Sequence, residues 1–284
     1  MVARDSVAED PRRTVMAEPF LKWAGGKRWL VRRSDWVVPE QFEAYIEPFL
    51  GGGSVFFSVA PKVGVLNDRN KELINMYRVL RDHPEALKTL MRQHQLLHSE
   101  SYYYRVRSEA PEDKVARAAR FLYLNRACWN GLYRVNRAGA FNVPKGTKTK
   151  VFFESDDYAE ASKLLRNVRL RSTDFEKIID EAKAGDFVFV DPPYTVRHNN
   201  NGFVRYNEEM FSWDDQERLA RCVKRAFDRG CKIAVTNADH DSIRELYSFA
   251  HYTRLSRSSV LAADPQKRSR TTEALFICNF ERHE

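Results

Sequence analysis

Phe187-Val188-Phe189-Val190-Asp191-Pro192-Pro193-Tyr194 is the stretch around which the chain is organised. It follows Gly185-Asp186, a turn signal, and its four apolar residues, β-branched and aromatic, read as a buried strand of a parallel sheet. Two consecutive prolines cannot continue a strand or enter a helix interior, so the chain must leave the sheet at Asp191. In open α/β sheets, ligands lie in the crevice beyond the carboxyl ends of the strands. A carboxylate, a rigid turn and an aromatic ring are therefore delivered where a substrate would sit.

These residue types suit alkylation of an amino group attached to an aromatic ring. Such a nitrogen is a poor nucleophile because its lone pair is delocalised into the ring. Asp191 can accept one N–H and the carbonyl of Pro192 the other, which localises the lone pair, with charge-assisted strength on the Asp191 side. Pro192 and Pro193 fix that carbonyl in advance, and Tyr194 offers a face for the ring to stack on. The plainer alternative is a strand-to-loop turn with a capping Asp and a core Tyr. Other stretches have to decide between the two.

Upstream, Tyr45-Ile46-Glu47-Pro48-Phe49-Leu50-Gly51-Gly52-Gly53-Ser54-Val55-Phe56-Phe57 reads as strand, glycine turn, helix. That is how nucleotide-type cofactors are held at the first strand of a doubly wound sheet, although the spacing is not that of a dinucleotide fingerprint. Val63-Gly64-Val65-Leu66-Asn67-Asp68 is a second strand ending in an acid, where such folds bind ribose hydroxyls; a solvated helix cap is the alternative for Asp68. A helix is expected from Asn70, with Leu73, Ile74, Tyr77 and Leu80 on one face. Before this unit, Phe20-Leu21-Lys22-Trp23-Ala24-Gly25-Gly26-Lys27 carries a Gly-Gly-Lys that is not a phosphate loop, since Leu21 and Arg28 stand where Gly and Ser or Thr would be needed. The glycine pair suits close backbone approach to a flat polar ligand, or an ordinary loop. Residues 1–18, without periodicity, are expected to be a flexible tail.

Between Tyr102 and Lys150 the α/β rhythm breaks. Eleven lysines and arginines stand against three acids, a balance of +8 that equals the net charge of the whole 284-residue chain. Eight aromatics are interleaved: Tyr102, Tyr103, Tyr104, Phe121, Tyr123, Trp129, Tyr133 and Phe141. Basic charge for phosphates with rings for base stacking is a nucleic-acid signature. Val115, Ala119 and Leu122 mark a helix face ending by Cys128. Asn130-Gly131 then turns the chain into an expected hairpin, Leu132 to Asn136 against Ala140 to Val143, reversing at Arg137-Ala138-Gly139. Alternation puts Leu132, Arg134 and Asn136 on one side, and Arg and Asn are the types that read guanine and adenine edges in a major groove. A hairpin touching phosphates alone is the competing reading.

After Val151 the α/β pattern resumes. Val168 to Phe175 reads as a strand with Asp174 and Phe175 at its end, a pair able to clasp an adenine, Phe175 on the ring and Asp174 on the amino group; Phe175 reads equally as core. His198 to Asn207 is expected to be a mobile loop over the site. Ser212-Trp213-Asp214-Asp215 resembles a capping box opening a helix to Phe227. Lys232 to Thr236 is a further buried strand, His240 a surface or capping residue, and Tyr252 to Val260 with Glu273 to Phe280 a closing antiparallel pair. The basic loop Ala262 to Thr272 between them is either a phosphate contact or simply solvated. The four cysteines show no paired spacing, so neither a disulfide framework nor a zinc site is expected and a reducing, cytoplasmic setting fits. No run reaches the roughly 18 apolar residues of a membrane span, and no metal is called for.

Taken together, the quoted motifs, with Phe121-Leu122-Tyr123-Leu124-Asn125-Arg126 and Phe141-Asn142-Val143-Pro144, resemble the Dam family of DNA adenine-N6 methyltransferases of the D12 class. The resemblance spans most of the chain. It implies a Rossmann-like α/β catalytic domain over residues 19–85 and 151–284, using S-adenosylmethionine, and a target-recognition domain over 86–150 with its DNA-reading hairpin at 129–144. The catalytic residues are then Asp191, Pro192, Pro193 and Tyr194. The cofactor set, from motif and pattern together, is Trp23, Lys27, Glu47, Gly51, Gly53, Asp68, Asp174, Phe175 and Asp191. The DNA set is Lys22, Trp129, Asn130, Leu132, Arg134, Asn136 and Pro144. In the family, the positions of Lys22 and Arg134 read guanines of GATC, an aromatic at the position of Trp129 wedges the duplex, and the target adenine flips out onto the position of Tyr194. Trp129 stands where the family often carries Tyr, and Tyr133 and Val135 also depart from its pattern, which bears on the recognition sequence rather than on catalysis. A monomer acting on double-stranded DNA in a bacterial or phage setting is expected. The competing activities are methylation of cytosine N4 or of an RNA amino group; a catalytically idle DNA-binding module is a third reading, for which the glycine turn, Asp68 and Asp191 have no use.

Overall fold

The computed structural model describes residues 19–34, 36, 38–136, 139–197, 211–258 and 270–281. The expected tail over 1–18, the loop His198 to Asn207, the turn residues Arg137 and Ala138, and the basic loop through residue 269 lie outside them.

Four strands carry the first half of the sheet: β1 (Tyr45–Glu47), β2 (Gly64–Asn67), β3 (Val168–Arg171) and β4 (Phe187–Val190). β5 (Lys232–Ala238), β6 (His251–Ser258) and β7 (Arg270–Cys278) complete a seven-stranded sheet of order β3-β2-β1-β4-β5-β7-β6. The four pairings among β1 to β5 are parallel, and β7 runs antiparallel to both β5 and β6. The strand order reverses between β1 and β4, so the crevice that such a doubly wound, Rossmann-like sheet offers a ligand opens beside Glu47 and Asp191.

Both faces of the sheet are covered, and β4 shows how its sequence permits this. Phe187 and Phe189 point into one apolar layer while Val188 and Val190 point into the other. The first layer also receives α2 (Ser54–Val59) and α3 (Lys71–Asp82). The second receives α8 (Phe175–Asp180) and α9 (Trp213–Asp228). Asn70 caps α3 by accepting from the amides of Glu72 and Leu73, and all four residues of its expected apolar face are buried. Ser212 and Asp215 form the reciprocal capping box at the start of α9. His240 caps a short helix, α10 (Asp241–Leu246), by accepting from the amide of Ser242.

Between β2 and β3 the chain runs through α4 (Pro84–Leu97), α5 (Glu100–Ser108), α6 (Lys114–Ala127) and the irregular ribbon after Cys128, then returns through α7 (Tyr158–Leu165). α6 packs against α3, α4 and α5 and buries nearly its whole C-terminal half. This corrects one expectation about the basic segment. Tyr103, Phe121, Tyr123 and Phe141 are buried in the apolar layer, so these rings pack helices and are not open to bases; Tyr104 and Trp129 are the exposed ones. Arg126, counted among the basic residues, is buried as well. Two further expectations change. β3 ends at Arg171, and Asp174 starts α8 as its cap instead of ending a strand. The hairpin forms no regular strand among the described residues: it is a ribbon held by bridges at Val135–Phe141 and Cys128–Lys145. No helix among the described residues is long and apolar enough to cross a membrane.

Candidate active site

Three parallel strands end at the crevice, and each delivers a polar group. β1 ends in Glu47, β4 leads directly into Asp191, and β5 carries Thr236 near its end. Lys27 enters from the tight turn at Trp23-Ala24-Gly25-Gly26, where the amide of Gly26 donates to the carbonyl of Trp23. Lys27 is only 3% exposed, and its Nζ lies 2.8 Å from Asp191 Oδ1. It also donates to the carbonyl of Gly25 at 2.7 Å, lies 3.5 Å from Glu273 Oε2, and sits 4.9 Å from the centroid of the Tyr194 ring. Thr236 donates its hydroxyl to the same Oδ1 of Asp191 at 2.7 Å. Burial pushes the Asp191 carboxyl above its ordinary range, against the pull of Lys27 and Thr236. Asp191 is thus anchored through one oxygen and still partly exposed, at 18%.

The turn that follows is held from below. The carbonyl of Pro193 accepts from Gln216 Nε2 at 3.0 Å, and Gln216 in turn accepts from Asn237 at 3.0 Å; both amide side chains are fully buried. Tyr194 donates to Glu273 Oε2 at 2.7 Å. Burial, then the charges of Asp191 and Glu273, drive its phenol well above the usual range, so it remains a donor.

The glycine turn lies beside β1. Gly51 has φ +48, and a Cβ there would fall 2.7 Å from Trp23 Cδ1, so only glycine brings the turn this close to the indole. Asp68, just beyond β2, accepts from the amides of Gly51 at 3.0 Å and Asn70 at 2.9 Å, and burial raises its carboxyl. Glu47 is buried beneath the turn and accepts from the Tyr45 hydroxyl at 2.8 Å. A carboxylate and a helix-opening glycine turn on adjacent strands fit a ribose and a polar chain, the donor set of a nucleoside-type cofactor.

Glu47 carries a measurable consequence. Burial raises its carboxyl well above the ordinary value, outweighing the Tyr45 hydrogen bond. A raised folded pKa contributes stability that is full below the unfolded value, about 4.3, and lost as pH rises through the folded value. Glu47→Gln, neutral throughout, is therefore expected to melt above the unsubstituted protein at pH 8. The two curves should converge near pH 4, and parallel curves across that range would refute the assignment.

Asp174 and Phe175 stand apart from this group. Arg218 binds the Asp174 carboxylate at 2.7 and 3.0 Å and holds it below the usual range, while its guanidinium covers the Phe175 ring at 4.1 Å. Phe175 packs on Phe49 and Phe211. Both residues thus have structural work, whatever else they touch.

The ribbon is joined to the site through Lys22 and Trp23. Asn125, fully buried on α6, accepts from the Lys22 amide at 3.1 Å and donates to the carbonyls of Lys22 at 2.8 Å and Gly131 at 3.3 Å. Asn130 and Gly131 both adopt positive φ, and a Cβ on Gly131 would meet Lys22 at 2.7 Å. Trp23 stacks on Tyr133 with ring centroids 5.7 Å apart. Further along, Arg134 Nε donates to Asn142 Oδ1 at 2.9 Å, which holds the guanidinium against the ribbon. Asn136 uses its side-chain oxygen to accept from the amide of Ala140, closing the turn. Trp129 is 53% exposed, and its amide donates to the carbonyl of Pro144, an exposed neighbour at the ribbon's base. Leu132 is half-buried beside them.

Five contributors escape the sequence patterns: Thr236, Glu273, Gln216, Asn237 and Asn125. Thr236 and Asn237 carry the signal that flags Asp191, polar residues closing an apolar strand. Asn125 lies within the quoted motif Phe121 to Arg126, while Glu273 and Gln216 carry no such signal.

A family model described as D12 class N6 adenine-specific DNA methyltransferase matches residues 23–260. The chain is 38% identical over 271 residues to the type II methyltransferase M1.LlaDCHI of Lactococcus lactis subsp. cremoris, spanning 92% of this chain and 95% of that one. It is 33% identical over 286 residues to the type II methyltransferase M.MjaIII of Methanocaldococcus jannaschii, spanning 93% and 99%. Against the DNA adenine methylase of Serratia marcescens it is 31% identical over 263 residues, spanning 91% and 97%. An acidic strand end leading into Pro-Pro-Tyr, a glycine turn beside it and a match along nearly the whole length lead to one conclusion: the chain belongs to the D12 class of N6 adenine-specific DNA methyltransferases.

Proposed function

We propose that this enzyme methylates N6 of an adenine flipped out of double-stranded DNA, within a GATC site, using S-adenosylmethionine, and that it does so as a monomer inside the cell. The observation that carries the reading is the Asp191 carboxylate, fixed through Oδ1 by Lys27 and Thr236 at the mouth of the sheet crevice. Asp191 accepts one amino hydrogen and the Pro192 carbonyl the other, while the Gln216 contact to Pro193 keeps the turn in place. Tyr194 provides the stacking face for the flipped base. S-adenosylmethionine, when bound, supplies an electrophilic methyl on a sulfonium centre. Asp68 is assigned to its ribose, the turn at Gly51 and Gly53 with Glu47, Trp23 and Lys27 to its methionine end, and Asp174 and Phe175 to its adenine.

Recognition is assigned to residues 86–150, inserted in a catalytic unit of 19–85 and 151–284. Lys22 and Arg134 read guanines; Asn130, Leu132, Asn136 and Pro144 line the same groove, and Trp129 fills the stack beside the flipped base. Exposure of Trp129 and the fixed geometry of Arg134 support this division. Arg134→Ala is expected to relax preference at one base pair of the site, losing about 1–3 kcal/mol of discrimination. A uniform loss over all sequences would make Arg134 a phosphate contact.

The test of the whole reading is transfer of labelled methyl from S-adenosylmethionine to duplexes with and without GATC, followed by digestion to nucleosides. N6-methyladenine from the GATC duplex alone is the expected result. Label on adenine in both keeps the chemistry and rejects the site.

A further inference from the structure

Glu273 is the buried charge that the reading above leaves without a task. It lies on β7, opposite Ala238 of β5, and its side chain is 3% exposed. Its Oε2 accepts from the Tyr194 hydroxyl at 2.7 Å and lies 3.5 Å from Lys27 Nζ. The ammonium of Lys27 has three N–H groups, and Gly25, Asp191 and Glu273 present one oxygen each. Two carboxylates therefore share one cation. A lone ion pair would commit the ammonium wholly to Asp191 and weaken that carboxylate as an acceptor for an incoming amine.

We propose that Glu273 is a positioning residue for methyl transfer, fixing the Tyr194 phenol and dividing the Lys27 ammonium with Asp191 so that Asp191 keeps its accepting strength. The proposal rests on Asp191 being the amine acceptor. Without the Glu273 charge, Asp191 loses a like-charged neighbour and gains more of Lys27, and both changes favour its ionised form. Besides Glu273, Asp191 is faced by Lys27 and Tyr194, which both also touch Glu273, by Tyr45 and Glu47 on β1, and by the uncharged Thr236 on β5; the last three do not touch Glu273.

The experiment is single-turnover methylation of an adenine-containing duplex across pH 4 to 8, which keeps product release out of the rate. Glu273→Gln is expected to lower the rate about tenfold at neutral pH, the size of one lost charged hydrogen bond. Its acid limb should move to lower pH. Glu273→Asp, which keeps the charge but shortens the reach, should lose rate and leave the limb in place. An acid limb unmoved in Glu273→Gln overturns the proposal, because a packing role alone predicts that. Should Glu273→Gln fail to fold, Tyr194→Phe carries the test: with the hydroxyl gone, adding Glu273→Asp must cost less than it does alone, and an equal cost overturns the proposal. Asp191→Asn is run beside them. Undiminished transfer by that variant would refute the acceptor role itself, separately from Glu273.

Discussion

Replacing Asp191 with Asn is expected to lower the rate of methyl transfer by about 10²–10³-fold while DNA binding stays within a small factor. The two effects separate because Asp191 sits at the end of β4 and the ribbon after Cys128 is built from other elements. Asn fills nearly the same space and can still accept from Thr236 through its oxygen. It then turns an NH₂ group toward an amino group that also has only hydrogens to offer, and the negative charge that favours a nitrogen becoming positive is gone. Folding should survive the change. Burial already penalises the Asp191 charge, and Lys27 retains Glu273 as a counter-ion. Asp191→Ala removes the acceptor altogether and should cost at least as much. The check is single-turnover transfer of labelled methyl, with duplex binding measured on the same preparation. Binding that collapses in step with the chemistry would mean that Asp191 holds the fold of the site and not the amine.

The parts legible in the chain are those that short range decides. β4 declares itself because two prolines must end what four apolar residues begin, and the layers it feeds follow from alternation of Phe187 and Phe189 with Val188 and Val190. The glycine turn and Asp68 are legible for the same reason, as each is a strand end read against a local signal. What escapes is what long range decides. Glu273 reaches the site because β7 inserts between β5 and β6 and pairs antiparallel in a register that sets it opposite Ala238. No spacing in the chain announces that register. Asn125 looks like any polar residue of a helix until Lys22 and Gly131 are brought against it. The aromatic segment misleads more instructively. Tyr103 and Tyr123 are spaced as freely as base-stacking rings would be, and they are buried because α5 and α6 need large residues to fill the space between them and α4. Composition counts rings and charges but not which way they face.

Arg126 brings that difference to a testable point. In composition it is one more cation for a phosphate; in the fold it is 6% exposed and makes four hydrogen bonds. Its Nη1 meets Asp156 Oδ2 at 2.6 Å and the Val151 carbonyl at 3.2 Å, while Nε and Nη2 donate to the Phe20 carbonyl at 3.3 and 3.0 Å. It thereby ties α6 to the segment entering Lys22 and Trp23 and to the segment leaving the basic region. Arg126→Met is expected to destabilise the protein by about 3–5 kcal/mol, since it strands a carboxylate that is only 15% exposed. A fall in Tm on the order of 10 °C, read by calorimetry, corresponds to that loss. Lys cannot reproduce the fork, so Arg126→Lys should recover only part of it. Removing the stranded charge as well, in Arg126→Met with Asp156→Asn, should recover more than additivity allows, because most of the cost of breaking such a pair lies in the partner left behind. A double variant no more stable than Arg126→Met alone would instead place the energy in the carbonyls of Phe20 and Val151, and would make Arg126 a backbone clasp whose ion pair contributes little.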